Sequence, residues 1–185
     1  SSAARELFAL SGTAEASAAA ASADLLAFSL ISLAILPPEG REALLTLARA
    51  VRESGGKVAF DGNYRPGLWQ DRDEAASWRD AAIAAADFGL PTLDDEIALS
   101  GAVSADAVTA HWQGLGCGEV AVKLGAAGCR LPNGTILRPS KVLDPVDTSG
   151  AGDAFDAGYL AARLKGGSIE QAAAAGHALA GWTIM

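Results

Sequence analysis

A glycine-rich turn followed by an acid precedes an apolar stretch near the C-terminal end of the sequence. Residues 147–155 read DTSGAGDAF, in which Gly150, Ala151 and Gly152 come before Asp153. Glycines let several backbone N–H groups point at one spot, and the dipole of a following helix adds partial positive charge there. Such a turn suits a phosphoryl group in transfer, and a carboxylate beside it can accept the proton of an attacking hydroxyl. The pattern indicates an anion site with a general base; the alternative is that Asp153 only complements the helix dipole.

A second group of polar side chains follows a strand-like apolar stretch in the first half of the sequence. Residues 60–69 read FDGNYRPGLW and contain Asn63, Tyr64 and Arg65. The planar guanidinium of an arginine binds a carboxylate or a phosphate through two parallel hydrogen bonds. The segment therefore indicates a site for an acidic ligand; the alternative is an exposed arginine in a proline-containing turn.

Two further segments combine glycines or acids with a predicted strand end or helix start. VKLGAAG at 122–128 is typical of a strand that runs into a glycine turn, and PTLDDE at 91–96 ends on Glu96. Acids in the first turn of a helix are favourable on their own because they complement the helix dipole. Neither segment indicates a function by its residues alone.

The elements that must position these segments alternate along the chain between strand-like and helix-like apolar patterns. This alternation predicts an α/β fold with a mostly parallel sheet and helices on both faces. Predicted strands cover 25–32, 57–61, 87–90 and 119–125, a hairpin is centred on 132–134, and predicted helices cover 39–54, 73–86, 105–113, 152–165 and 168–184. Because ligands bind outside the carboxyl ends of parallel strands, we expect the segments at 61–65, 123–128 and 147–153 to share one site.

The composition is that of a globular chain with one substantial core. Of the 185 residues, 50% are hydrophobic and 19% are charged, and the mean hydropathy is +0.23. A net charge of −8 and a pI near 4.7 argue against nucleic acid and anionic membranes as partners. Cys117 and Cys129 are too few for a disulfide framework or a zinc cluster, which favours a cytoplasmic location.

Taken whole, DTSGAGDAFDAGYLAARLKGG at 147–167 resembles the C-terminal signature of the ribokinase (pfkB) family of carbohydrate kinases. FDGNYRPGLW is similar to the family's D-x-N-x-R-x-x-L-W element, and VKLGAAG to its K-x-G-x-x-G loop. The resemblance implies a ribokinase-like fold and an ATP-dependent phosphotransferase that works with Mg²⁺. It also implies that Asp153 is the catalytic base and forms an anion hole with Gly150, Ala151 and Gly152.

The same resemblance implies which residues bind the two substrates and the metal. For the acceptor they are Asn63, Tyr64, Arg65 and Asp153. For ATP they are Asn63, the loop residues Lys123, Leu124, Gly125, Ala126, Ala127 and Gly128, and the turn residues Gly150, Ala151, Gly152 and Asp153. Glu96 fits the family's acidic element that acts on magnesium through water, with Leu93 where the family has asparagine. The alternative for Glu96 is a charged first turn of a helix.

Within the family, these segments resemble most closely the members that phosphorylate the sugar acid 2-keto-3-deoxygluconate to 2-keto-3-deoxy-6-phosphogluconate. Gly67 departs from related sequences, which often carry arginine there. The resemblance implies that residues 1–185 form the C-terminal part of a single ribokinase-like domain, without the N-terminal third, its first strands and its β-lid.

For partners, we expect a small-molecule sugar acid, no nucleic acid and no membrane. We also expect a homo-oligomer, because an uncovered sheet edge invites association. Two alternatives stay open: an inactive nucleotide-binding fragment, and a family kinase that acts on another sugar or on a nucleoside.

Overall fold

The computed structural model describes residues 3–9, 12–141 and 143–185. They belong to two compact units, Ser1–Val120 and Ala121–Met185. Each unit has its own sheet and its own helices.

The first unit contains a parallel sheet of four strands in the order β1–β2–β3–β4. The strands are β1 (Leu25–Ser29), β2 (Lys57–Asp61), β3 (Phe88–Gly89) and β4 (Glu119–Val120). The helices are α1 (Thr13–Ala20), α2 (Leu30–Ile35), α3 (Pro38–Glu53), α4 (Arg72–Ala84), α5 (Leu93–Ser100) and α6 (Ala105–Gly114), with 3-10 helices at Ala3–Ala9 and Pro66–Leu68.

Strand β2 is the most enclosed strand of this sheet. It lies between β1 and β3, and its residues 58–61 are all buried, as expected for an inner strand of a parallel sheet covered by helices. Phe60 stacks on Trp112 of α6 with ring centroids 5.6 Å apart. The strand ends at Asp61, so the polar segment that follows begins at the carboxyl end of the sheet.

The second unit combines a small antiparallel sheet with two long helices. The sheet has the order β5 (Val122–Lys123), β6 (Cys129–Arg130) and β7 (Ile136–Leu137), with a 3-10 helix at Gly125–Ala127. The helices are α7 (Ala151–Leu164) and α8 (Ile169–Thr183).

Small residues let α7 and α8 pack closely. A Cβ on Gly158 would lie 2.7 Å from the carbonyl oxygen of Ala175, and a Cβ on Gly176 would lie 2.7 Å from the ring of Phe155. A larger side chain at either glycine would therefore push the helices apart. Ser168 begins α8 with a capping box, as the sequence predicts.

The predicted parallel sheet flanked by helices is confirmed, and so is the antiparallel hairpin. The predicted helices agree with α3, α4, α6, α7 and α8 to within two residues at each end. In the described part of the chain, no helix has the length and apolarity that crossing a membrane requires. The homo-oligomer stays a prediction.

Two strand predictions were wrong in part. The strand expected at 25–32 ends at Ser29, because the side chains of Ser29 and Ser32 form a capping box that begins α2. The strand expected at 119–125 is divided at Ala121, with β4 in the parallel sheet and β5 in the antiparallel one. Helix α1 was not predicted; it is alanine-rich and has no buried residue, so its sequence carries no apolar face.

Candidate functional site

The start of helix α7 presents backbone donors without acceptors. Gly150 precedes the helix with a φ of 76°, in the left-handed region, and no side chain caps the helix. The N–H of Ala151 donates to the carbonyl of Thr148 at 3.2 Å, whereas those of Gly152 and Asp153 have no acceptor among the described residues. Two such donors at the positive end of a helix dipole attract an anion.

Asp153 adds a carboxylate to the same turn. It is exposed in the first turn of α7, and within the described ranges its side chain has no hydrogen-bond or ion-pair partner. A carboxylate beside an anion site suits a group that takes up a proton during the reaction. The structure thus brings Gly150, Ala151, Gly152 and Asp153 into one turn, the 150–153 turn, and their roles stay predictions.

Lys123, at the end of β5, reaches helix α7 with its ammonium group. Its Nζ lies 2.9 Å from both carboxylate oxygens of Asp156, and both side chains are buried. A Cβ on Gly152 would lie 3.7 Å from the same Nζ, so the ammonium lies next to the 150–153 turn. The sequence reasoning missed Asp156. Its signal is an acid between Phe155 and Tyr159, both buried positions of α7.

The glycine loop after Lys123 is partly exposed and partly structural. Its 3-10 helix, Gly125–Ala127, is exposed. Gly128 is buried, and a Cβ there would collide with the carbonyl of Leu137. The N–H of Leu124 donates to the carbonyl of Gly128 at 2.8 Å and closes the loop. The most exposed part of the predicted nucleotide loop is therefore 125–127, and the ATP-binding role of 123–128 stays a prediction.

In the first unit, the segment after β2 forms a loop that holds Nη1 of Arg65 through a hydrogen bond and an ion pair. The carboxylate of Asp61 accepts a hydrogen bond from the N–H of Asn63 at 3.2 Å, and Tyr64 is buried. The Nη1 of Arg65 donates to the carbonyl of Tyr64 at 2.7 Å and lies 3.4 Å from Oδ1 of Asp95. The side chain of Arg65 is 53% exposed, so a ligand can still reach this cation.

Glu96 is enclosed rather than open to a ligand, with 2% of the residue exposed. Its Oε2 accepts a hydrogen bond from Nη1 of Arg79 at 2.8 Å. Burial raises the pKa of the Glu96 carboxyl, and the charge of Arg79 opposes that rise. A Cβ on Gly62 would lie 3.4 Å from Oε1 of Glu96, so the carboxylate lies against the loop that carries Asn63. The water-mediated role of Glu96 on magnesium stays a prediction.

Arg79 extends this pair into a network that the sequence reasoning missed. Its Nη2 lies 2.8 Å from Oδ1 of Asp80, and Nε2 of His111 lies 3.2 Å from the same oxygen. The signal for Arg79 is its position on α4 between Ala75 and Ile83, which are buried on the same helix face. A cation at an inward position requires a buried acid as its partner.

Within the described residues, no group of three or more His, Cys, Asp or Glu side chains is arranged to hold a metal ion. Mg²⁺ is commonly held by substrate phosphates and water with one or two carboxylates. Glu96, the carboxylate predicted for that role, already binds Arg79.

The sequence profile of the pfkB family carbohydrate kinases matches residues 2–185. The chain belongs to this family. This pfkB family chain is 45% identical over 167 residues to the 2-dehydro-3-deoxygluconokinase of Escherichia coli (strain K12). The matched stretch covers 87% of this chain and 54% of that enzyme. The corresponding enzyme of Dickeya dadantii (strain 3937) is 43% identical with the same coverage. The chain therefore spans about half the length of the curated relatives it matches.

Solved structures of related kinases share the fold of this pfkB family chain. The aminoimidazole riboside kinase from Salmonella enterica, complexed with aminoimidazole riboside and an ATP analog, matches with a TM-score of 0.77 and 31% identity. The match covers 86% of this chain and 56% of that protein. The ribokinase-like fold predicted from the sequence is confirmed.

Proposed function

We propose that the protein to which this chain belongs is an ATP-dependent kinase of 2-keto-3-deoxygluconate, also called 2-dehydro-3-deoxygluconate. Its product is 2-keto-3-deoxy-6-phosphogluconate. The observation that carries the proposal is the 150–153 turn, where two backbone donors without acceptors in the described chain stand beside the exposed carboxylate of Asp153. The similarity to the 2-dehydro-3-deoxygluconokinases of Escherichia coli and Dickeya dadantii supports the choice of acceptor.

In the proposed reaction, Asp153 acts as a general base. Its carboxylate takes the proton of the 6-hydroxyl of the sugar acid while the hydroxyl oxygen attacks the γ-phosphorus. ATP supplies the phosphoryl group, and the bond to the ADP oxygen breaks as the new ester bond forms. The N–H groups of Gly152 and Asp153 donate to the phosphoryl oxygens, and the dipole of α7 stabilises the same negative charge.

Arg65 is the proposed contact for the carboxylate of the sugar acid. Among the described residues, its recorded partners engage Nη1 alone, so Nε and Nη2 are left for a ligand. A guanidinium binds a carboxylate through two parallel hydrogen bonds, which also fixes the orientation of the ligand. Asn63 and Tyr64 complete the proposed acceptor site.

The proposed nucleotide contacts are Asn63, the exposed 3-10 helix Gly125–Ala127 and the 150–153 turn. Apart from Asn63 and Asp153, these are glycines and alanines, whose small side chains let a phosphate approach main-chain N–H groups. Mg²⁺ stays part of the proposal through the family resemblance, and no step described here is routed through it.

A second candidate acceptor is a nucleoside, and the similarity to an aminoimidazole riboside kinase favours it. The two acceptors differ in one group that Arg65 could distinguish: the sugar acid has a carboxylate, and the riboside has none. The half-exposed guanidinium is therefore the feature that favours the sugar acid over the riboside.

The experiment that tests the proposal is an ADP-release assay of the complete gene product against a panel of acceptors. The panel holds 2-keto-3-deoxygluconate, gluconate, fructose, ribose and aminoimidazole riboside. We expect kcat/KM for the keto acid to exceed that for the uncharged acceptors by at least about 100-fold, because those acceptors lack the carboxylate that Arg65 is proposed to bind. Arg65→Lys keeps the charge but loses the planar fork, so it should raise KM for the keto acid more than KM for ATP.

Each other result of this assay has a definite meaning. A higher kcat/KM for the riboside would replace the sugar acid with the second candidate. ATP binding without ADP release on any acceptor would identify a nucleotide-binding protein that is not an active kinase.

A further inference from the structure

A buried ion pair in the second unit lies next to the 150–153 turn and is not used by the proposed reaction. Nζ of Lys123 lies 2.9 Å from Oδ1 and 2.9 Å from Oδ2 of Asp156, and the two side chains are 9% and 12% exposed. Lys123 stands on β5 opposite Cys129 of β6, and Asp156 stands on α7. The pair therefore connects the sheet of this unit to the helix that begins with the 150–153 turn.

The ammonium of Lys123 reaches the first turn of α7 itself. A Cβ on Gly152 would lie 3.7 Å from Nζ, which is an ordinary van der Waals distance. Gly152 and Asp156 are four residues apart and so lie on one face of the helix. Asp153 is three residues before Asp156, so the two residues are also neighbours on the helix surface.

This ammonium is committed to the protein. A cation near the N-terminus of a helix is opposed by the helix dipole, and removal from water adds a further cost, so Lys123 needs a counter-charge. Asp156 supplies that charge with both of its oxygens. A buried pair is often no more stable than an apolar pair of similar size, so stability alone does not explain it. What an ion pair does provide is a fixed distance between two elements.

We infer that Lys123 and Asp156 are positioning residues that hold the first turn of α7 in the geometry required for phosphoryl transfer. The inference rests on the proposed function. It gives Lys123 a role different from the one implied by the family resemblance, because the ammonium acts through Asp156 and not as a phosphate ligand. A misplacement of about 1 Å in a catalytic arrangement costs up to roughly 100-fold in rate, so a loosened turn should be visible in kcat.

The test compares four variants of the complete gene product: Lys123→Met, Asp156→Asn, Lys123→Arg and the double variant Lys123→Met/Asp156→Leu. Four quantities are measured for each: the thermal midpoint Tm, kcat, KM for ATP, and hydrogen–deuterium exchange of the peptide covering 150–157. Lys165→Met, at the exposed C-terminal end of α7, is the matched control and should leave all four quantities unchanged.

The expected pattern separates positioning from stability. Both charge-removing single variants should lower Tm and kcat, because each removes one half of a buried ion pair. The double variant should regain Tm, yet its kcat should stay about 10- to 100-fold below wild type and its turn should exchange faster. Lys123→Arg keeps the ion pair and should retain most of the turnover. KM for ATP should stay close to wild type throughout.

Three results would overturn the inference. If the double variant regains kcat together with Tm, the pair is merely structural. If Lys123→Met raises KM for ATP by about 10-fold or more and Asp156→Asn does not, the lysine is a phosphate ligand. If the wild type releases no ADP with any acceptor, the proposed function fails, and hydrogen exchange of the 150–153 turn is then the deciding measurement. Unchanged exchange in the double variant overturns the positioning role of the pair, and faster exchange supports it.

Discussion

Two buried ion pairs, one in each unit, differ in what lies beside them. The side chains of Arg79 and Glu96 are 3% and 2% exposed and extend through Asp80 into a wider network of the first unit. Lys123 and Asp156 are less enclosed and lie next to the exposed 150–153 turn. The first pair is surrounded by packed protein, whereas the second borders the groups proposed to react.

Because the two ion pairs differ in burial and in their neighbours, we expect one to act mainly on stability and the other mainly on turnover. Full enclosure makes an unpaired partner of Arg79–Glu96 very costly, so this pair should dominate stability. Because Lys123 and Asp156 are less enclosed, breaking their ion pair should lower the free energy of unfolding by a smaller amount. Because the pair lies next to the 150–153 turn, breaking it should lower kcat. Stability and turnover should therefore rank the two pairs in opposite orders.

The largest effect on stability is expected from Arg79→Ala. It leaves the Glu96 carboxylate buried without its counter-charge, which should lower the free energy of unfolding by about 3–5 kcal/mol. Urea denaturation measures this loss. Arg72→Ala is the matched control on the same helix, where the arginine is exposed, and it should change the free energy of unfolding by less than about 0.5 kcal/mol. Equal losses for the two arginines would contradict the enclosed pair.

A smaller loss of stability is expected from Asp156→Asn. The amide keeps the shape but removes the charge that Lys123 needs, so we expect a loss of about 2 kcal/mol in the free energy of unfolding. The same variant should lose turnover at temperatures where it is fully folded. If Asp156→Asn proved as destabilising as Arg79→Ala and kept wild-type kcat, the comparison between the two pairs would be wrong.

An exposed pair extends the comparison to the surface of the first unit. Asp95 lies 3.4 Å from Nη1 of Arg65, at partly exposed positions where an ion pair is worth at most about 1 kcal/mol. Asp95→Asn should therefore raise KM for the keto acid by only about 2- to 5-fold, through a less well oriented guanidinium. Asp94→Asn, exposed one residue earlier, should leave both KM values unchanged. A rise in KM for ATP alone would contradict the orienting role of Asp95.

The smallest effect concerns a histidine of the second unit. The imidazole of His177 is half-buried, 5.1 Å from the ring of Phe155, and its Nε2 donates to the carbonyl of Leu137 at 3.1 Å. Burial disfavours the imidazolium and lowers the pKa of His177 below its usual 6.5. The unfolded chain then binds the proton more readily than the folded one, so protonation of His177 favours unfolding. The stabilisation contributed by the neutral, packed imidazole is therefore fully present above about pH 6.5 and is lost as the pH falls below that value. The difference in Tm between wild type and His177→Gln should shrink from pH 7.5 to pH 5.5; a constant difference would contradict the lowered pKa.

Sequence reasoning predicted the elements whose pattern is local. The long apolar period of α3 and the capping serine at Ser168 gave helix positions that the structure confirms. The division of the strand at 119–125 could not be predicted, because Ala121 continues the apolar run and the change of pairing partner is a tertiary event. The helix that begins after Ser29 was hidden by an apolar run equally suited to a buried strand.

The candidate site divides in the same way. The 150–153 turn was predictable because glycines and an acid in sequence define its geometry directly. The partner of Lys123 was not, since Asp156 lies 33 residues further along the chain, and Arg79 and Glu96 are 17 residues apart. Charged residues at inward helix positions indicate that a buried partner exists, but only the packing identifies it.

The central claim is that Asp153 is the base of a phosphoryl transfer, and Asp153→Asn tests it most directly. In the complete gene product, we expect kcat with 2-keto-3-deoxygluconate to fall by about 10²- to 10⁴-fold. The dissociation constant for ATP, measured by calorimetry, should stay near that of the wild type, because the asparagine keeps the backbone donors of the 150–153 turn. Asp144→Asn, at an exposed acid outside the helix, should behave as wild type in both measurements. A kcat for Asp153→Asn within a few-fold of wild type would contradict the account and leave Asp153 as a partner of the helix dipole.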